Sequence, residues 1–409
     1  MKKVIFGVLV LMSILVISGC DQFTPTDDPQ LSGMRLILQR FGEGGGGGGG
    51  YIPPAVGCGD TITEDTILTD DLLNCPGNGL VIENDDVTLD CDGHIISGQG
   101  GGPTIRGIQV LSAEPNPPIE NVIIKNCIIK NFYHGIFLYG ASGANILDNE
   151  IRDNHNDGIW IGWRSDNSIV SNNLIEKNEG NGISIDSGVP VDVFRNMIIN
   201  NNNGLVISGG TKYLEDKEDS YFDYNFVGNY ISNNTDGGFA TFYAGKINFS
   251  RNIVVNNADG LRLRLIYAWN EFTYNTISNN DFGIRVFDSE SSPTCHLAFV
   301  MNRISDNIVN AYSDMNNGGH TYIVWYNEGG GNYWSDFVSN PGYPLYYEIS
   351  GGGQYTNNRD YNPLCFDMTL GGGCSVTKPL FCESGELIED CQACGCNPGF
   401  ECQSDGSCE

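Results

Sequence analysis

Two files of asparagine run through this chain at a fixed offset. Asn126, Asn149, Asn173, Asn196, Asn229, Asn252, Asn275 and Asn302 are each followed five residues later by Asn131, Asn154, Asn178, Asn201, Asn234, Asn257, Asn280 and Asn307. The step within a file is 23, 24, 23, 33, 23, 23 and 27 residues, a period at which a chain folds as a solenoid. Two residues after each first asparagine stand Ile128, Ile151, Ile175, Ile198, Ile231, Val254, Ile277 and Ile304, all β-branched and expected to point inward. A second apolar file precedes the asparagines by three residues: Ile123, Ile146, Val170, Val193, Phe226, Phe249, Phe272 and Phe299. After the second asparagine come Gly135, Gly158, Gly182, Gly204, Gly238, Gly260 and Gly283, each opening an alternating segment.

An apolar period of two over short β-branched stretches excludes helical repeats. Coils of this length close if each strand pairs in parallel with its equivalent one coil away, at about 4.8 Å. The expected fold is therefore all-β, a parallel β-helix of about eleven coils. Asparagine tolerates the left-handed conformation of tight turns, and stacked amides can bond along the axis as a ladder. Both files are read as scaffold.

The sequence of 409 residues carries 50 acidic against 21 basic residues, a formal net charge of -29. That balance argues against a nucleic-acid partner, which phosphate contacts would require to be basic. Lys2 and Lys3 followed by an apolar run from Val4 to Ile17 read as an export signal over residues 1–20, too short for an ordinary membrane span. Its end, Val16-Ile17-Ser18-Gly19-Cys20, resembles a prokaryotic lipobox, which implies a lipidated Cys20 and a membrane anchor; a plain secretory signal is the alternative. Residues 21–57 form a spacer containing seven consecutive glycines, Gly44 to Gly50, with the composition of a flexible coil.

Fourteen cysteines in an exported chain point to disulfides. Cys58 and Cys75 bracket the start of the solenoid. Aligning Leu89-Asp90-Cys91 with Lys125-Asn126-Cys127 sets Cys91 one coil below Cys127, within bridging reach. From Cys365 onward, Cys374, Cys382, Cys391, Cys394, Cys396, Cys402 and Cys408 form a separate module over 365–409. Zinc is the alternative there, since Cys391 and Cys394 have ligand spacing, but no histidine accompanies them and a disulfide-stapled module is expected.

The run from Cys58-Gly-Asp-Thr-Ile-Thr to Thr88-Leu-Asp-Cys-Asp-Gly-His-Ile-Ile-Ser-Gly98, with the Asn-x-Ile and Asn-Gly-Ile coils after it, resembles the pectin-lyase-like right-handed β-helix superfamily. Within it the chain looks most like the branch holding NosD-like copper-associated proteins and carbohydrate-binding and sugar-hydrolase β-helix domains. Gly331-Asn-Tyr-Trp-Ser-Asp-Phe337 and Tyr361-Asn-Pro-Leu364 are similar to the tail that closes many NosD-like helices. The resemblance implies a helix over 58–327 and a closing segment over 328–364. It is specific for fold and weak for activity.

Outward positions on the strand after each glycine form two columns. One reads Gln109, Phe137, Trp160, Ser184, Val206, Ala240, Arg262 and Arg285; the next reads Tyr139, Gly162, Asp186, Ser208, Phe242, Arg264 and Phe287. Aromatic rings at the lower end (Phe137, Tyr139, Trp160) suit sugar stacking, and the arginines at the upper end (Arg262, Arg264, Arg285) suit the carboxylates of acidic sugars. The expected partner is a cell-surface or extracellular polysaccharide, bound by a monomer. If a bond is broken, Asp157 and Asp186 are the candidate carboxylates for a hydrolase, while a lyase would pair an arginine with calcium. Asp is also common in such turns for backbone reasons. The acidic insertion Glu215, Asp216, Glu218 and Asp219 reads as a calcium loop, a lid or a solvated bulge. Copper, implied by the nearest branch, ranks last because the five His and seven Met are scattered. The competing class is a non-enzymatic adhesion rod.

Overall fold

The computed structural model describes residues 56–113, 115–186, 189–209, 224–244, 246–266, 268–287, 295–314, 321–325, 330–352 and 359–409. The export segment with Cys20, nearly all of the spacer and the acidic insertion lie outside the described residues.

Three long parallel sheets of 12, 11 and 11 strands form the body. Each coil contributes one short strand to each sheet in turn, as in Asn145–Leu147, Glu150–Arg152 and Ile159–Ile161. Every strand pairs with the equivalent strand one coil away, in register; Ile151 faces Ile175 and Ile175 faces Ile198. The interior is a continuous apolar column. Phe226, Phe249, Phe272 and Phe299 are fully buried and continue into Trp325, with Phe272 and Phe299 stacked at 4.9 Å and Phe299 and Trp325 at 4.6 Å. Glycine recurs after the second turn because the wall there is too close for a side chain. A Cβ at Gly260 would meet the Gly283 carbonyl and the Ile277 methyl of the next coil.

The asparagines form two buried ladders. In the first, each Oδ1 accepts both the backbone N–H and the side-chain amide of the asparagine below, from Asn149 through Asn173, Asn196, Asn229, Asn252, Asn275 and Asn302 to Asn332. The second runs from Asn154 to Asn307. All these donors point the same way along the axis.

Two details differ from the sequence reading. The ladder asparagines are not the left-handed residues. From Asn149 to Asn307 the residue before each one is, among them Asp148, Asn172, Lys177, Arg195 and Asn256, with φ between 55° and 58°. In the first asparagine coil the alignment also shifts by one. Asn126 and Asn131 themselves have positive φ, and the ladder positions there are taken by Cys127 and Phe132, whose N–H groups donate to Asn149 and Asn154. Accordingly Ile129 and Ile124, not Ile128 and Ile123, are the fully buried residues of that coil.

Each ladder has a distinct end. Cys127 is bonded to Cys91 with Cα atoms 4.7 Å apart, so a disulfide closes the lower end of the first. At the upper end Asn332 donates to Asp360. The second passes from Asn307 through Asn310 to Asp336. Carboxylates thus meet the donor end of both stacks, as an acid meets a helix N-terminus. Cys58 is bonded to Cys75 at the first coil. Past the solenoid, Cys365–Cys382, Cys374–Cys394, Cys391–Cys402 and Cys396–Cys408 staple the terminal region. These four bridges engage Cys391 and Cys394, so neither offers a thiolate to zinc. Six disulfides in all fit an oxidising, extracytoplasmic location.

Candidate glycan-binding face

The two outward columns exist in register on the 12-stranded sheet. Phe137 faces Gln109 below and Trp160 above, Trp160 faces Ser184, and the file continues through Val206, Ala240, Arg262 and Arg285. They do not make one open wall. Ser184, Val206 and Ala240 are buried, so the aromatic and cationic ends are separate.

The aromatic end is a stack. Phe137 and Trp160 lie 4.5 Å apart and 9° from parallel, close to the rise of one coil. Their planes therefore lie across the solenoid axis and face each other, rather than facing solvent. Tyr139 is also parallel to Trp160, at 6.4 Å, and Trp163 tilts against Tyr139 at 5.8 Å. Glycine at 162 permits this arrangement, because the indole of Trp160 occupies the space that a side chain there would take. Beneath Phe137 the guanidinium of Arg106 lies 3.9 Å from the ring centroid. The faces of Phe137 are thus both covered. Above Trp160 the register places Ser184, and among the described residues no aromatic ring is stacked on that side of the indole. The indole itself is part-exposed.

At the foot of the same strands a polar column runs through Arg106, His134 and Asp157 in successive coils. His134 and Asp157 are buried, with Nδ1 of the first 3.6 Å from Oδ2 of the second. Burial, with the Arg106 charge adding to it, pushes the imidazole down to about 4. Burial pushes the Asp157 carboxyl up to about 6, although the Asn181 N–H donates to it at 2.8 Å. Neither His134 Nδ1 nor Arg106 Nε meets a hydrogen-bond partner.

Asp157 and Asp186 are not brought together. Asp157 neighbours Asn181 across the ladder, and Asp186 is five strand positions further on, about 16 Å along the strand. Paired glycosidase carboxylates stand about 5 to 10 Å apart. Asp186 instead sits beside Ser208, whose hydroxyl donates to it at 3.4 Å.

The cationic end differs from expectation as well. Arg262 is clamped by Asp236 and Asp259, and Arg285 by Asp259, the last being buried. Hydrogen bonds to Asp236 and Asp259 hold the Arg262 guanidinium well above its ordinary value, and Arg262 holds Asp236 below its own. Arg285 also lies over the rings of Phe282 and Phe287. These two arginines neutralise the protein's own acids. Arg264 is exposed and takes no ion pair among the described residues. Arg106 was missed by the sequence reading. It sits three residues before Gln109 just as His134 sits three before Phe137, so the same alignment contained it.

Among the described residues, Cys391, Cys396 and Cys408 form the one group of three or more His, Cys, Asp or Glu side chains close enough to share a metal ion, and all three are disulfide-bonded. His134 is buried beside Asp157, whereas His155, in the next coil, lies beside Glu179.

Residues 63–219 match the family model for the right-handed β-helix region, and residues 213–339 match that of the periplasmic copper-binding protein NosD. Among solved structures, a double mutant of the periplasmic alginate epimerase AlgG is similar with a TM-score of 0.51 and 17% identity, over 66% of this chain and 69% of that one. Pectate lyase Pel9A gives 0.43 and 13%, over 74% and 79%. The mannuronan C-5 epimerase AlgE6 A-module of Azotobacter vinelandii gives 0.34 and 12%, over 72% and 79%. No curated protein matches in sequence.

Proposed function

We propose that this chain, which matches the right-handed β-helix and NosD family models over residues 63–219 and 213–339 and whose coils in register bring distant residues onto one outer wall, binds an extracytoplasmic polysaccharide at the aromatic end of its 12-stranded sheet. The observation that carries this reading is the stack of Phe137 and the part-exposed Trp160, with Tyr139 parallel to the indole. A part-exposed flat ring suits a sugar ring, whose C–H face packs on the π-system. The reading rests on the site and not on the activities of similar folds.

Binding without cleavage is the form favoured, because the separation of Asp157 and Asp186 does not suit a carboxylate pair. The adhesion rod is the second reading; copper handling is third, with no converging His, Met or free Cys among the described residues to support it. A lipid on Cys20 would tether the rod to a membrane surface through the glycine-rich spacer.

The test is a glycan array followed by titration of each hit with wild type and Trp160→Ala. The substitution should weaken binding about tenfold or more, the factor that 1.4 kcal/mol represents. Unchanged affinity would move the site elsewhere. An empty array would leave the rod.

A further inference from the structure

Arg106 combines partial burial with the lack of a carboxylate partner among the described residues. With 50 acidic residues against 21 basic ones, counter-ions are plentiful, and three part-buried arginines on the solenoid take them: Arg152 pairs with Glu150 and Asp153, Arg262 with Asp236 and Asp259, Arg285 with Asp259. Arg106 pairs with no carboxylate among the described residues. Its Nη1 donates to the Thr104 carbonyl at 2.6 Å and, at the limit of a bond, to Gln109 Oε1 at 3.5 Å. Nε is buried and unpartnered.

A half-buried guanidinium with unused donors carries a desolvation cost that an anion would offset. The neighbours favour an external anion over an internal one. The nearest carboxylate in the column, Asp157, lies beyond His134 and is tied to the Asn181 N–H. The imidazole, neutral at pH 7, separates the two charges. The plane of the guanidinium is fixed by Phe137 at 3.9 Å, in the same stack that continues into Trp160.

We infer that Arg106 is the anion-recognition residue of the aromatic face, and that the glycan bound there carries a negatively charged substituent, a carboxylate or a sulfate. This rests on the reading of Trp160 as a sugar platform. With Arg106 two ring layers below Trp160, the charged group belongs to a neighbouring sugar unit of the same chain. The net charge of -29 opposes a polyanion at long range, but at about 0.15 M salt the screening length is about 8 Å, so the contact at Arg106 decides.

The experiment compares neutral, carboxylated and sulfated oligosaccharides of matched length on wild type, Arg106→Gln, Arg106→Lys and Trp160→Ala, each checked for an unchanged near-UV spectrum. Wild type should prefer a charged series, and the carboxylated and sulfated arms identify which. Arg106→Gln should lose about tenfold or more for that series with neutral binding unaltered, and Arg106→Lys should retain part of the preference. Equal losses for neutral and charged sugars would mean that Arg106 merely supports the ring stack, and a wild type indifferent to charge would also overturn the inference. If Trp160→Ala binds everything as wild type does, it is the location of the site that fails. Should a variant's spectrum change, charge preference in wild type alone still decides.

Discussion

Replacing Asn252 by alanine is expected to cost about 4 kcal/mol of stability. This residue is fully buried, and its Oδ1 accepts the backbone N–H and the amide of Asn229 at 2.9 and 3.0 Å. Its own amide donates to the Phe226 carbonyl at 2.8 Å and to Asn275 at 3.2 Å. Truncation strands the two Asn229 donors and the Phe226 oxygen where water does not reach, and each unmet buried group costs about 1 to 3 kcal/mol. Asn248 is a useful control, because it lies on the outer surface with one contact to Asn225 at 3.3 Å and should lose under about 1 kcal/mol. Urea titration of both variants measures the difference. Equal small losses would mean that the ladder is ornamental and the apolar column alone holds the coils.

The upper end of that ladder should make stability depend on pH in an uncommon direction. Asp360 is fully buried and accepts from Asn332 N–H at 2.7 Å, Trp334 Nε1 at 2.9 Å, Asn362 N–H at 3.0 Å and the Asn332 amide at 3.3 Å. Burial outweighs these donors and pushes the carboxyl up to about 6. A group that holds its proton more tightly in the folded state contributes stability that is complete below its unfolded value, about 3.8, and is lost as pH rises through about 6. Asp360→Asn keeps an acceptor for Asn332 and removes the titration. Measured against wild type, it should gain relative stability between pH 4 and 7. Asp360→Ala leaves the Asn332 N–H, the Trp334 indole N–H and the Asn362 N–H unmet and should lose about 3 to 5 kcal/mol below pH 4, a deficit that narrows as pH rises toward 7. A difference between Asp360→Asn and wild type that is flat with pH would show that Asp360 does not titrate in this window.

The solenoid was legible because its cause repeats. An asparagine that must bond upward and downward recurs coil after coil from Asn149 onward, as does a glycine that must let the next coil approach, and the period exposes both. The first asparagine coil was misaligned by one residue because asparagine is favoured at two adjacent positions for different reasons. Asn126 and Asn131 are there for positive φ, whereas Asn149 and Asn154 are there for the ladder. The site was less legible. Register placed Phe137 beside Trp160 and Arg262 beside Arg285, but it does not reveal which face of a ring is spent or which charge is already paired. Ring orientation depends on what sits two residues along, here Gly162. The pairing of Arg262 depends on Asp236, one coil below and outside both outward columns.

Hydrogen exchange with and without a saturating oligosaccharide, chosen from the array, tests most directly whether the aromatic stack is the binding face. Protection is expected in His134–Tyr139 and Ile159–Ile161, the strands that carry the rings. Protection confined to the arginine-bearing strands Asp259–Ile266 and Phe282–Phe287, or to the disulfide-stapled residues 365–409, would contradict the account.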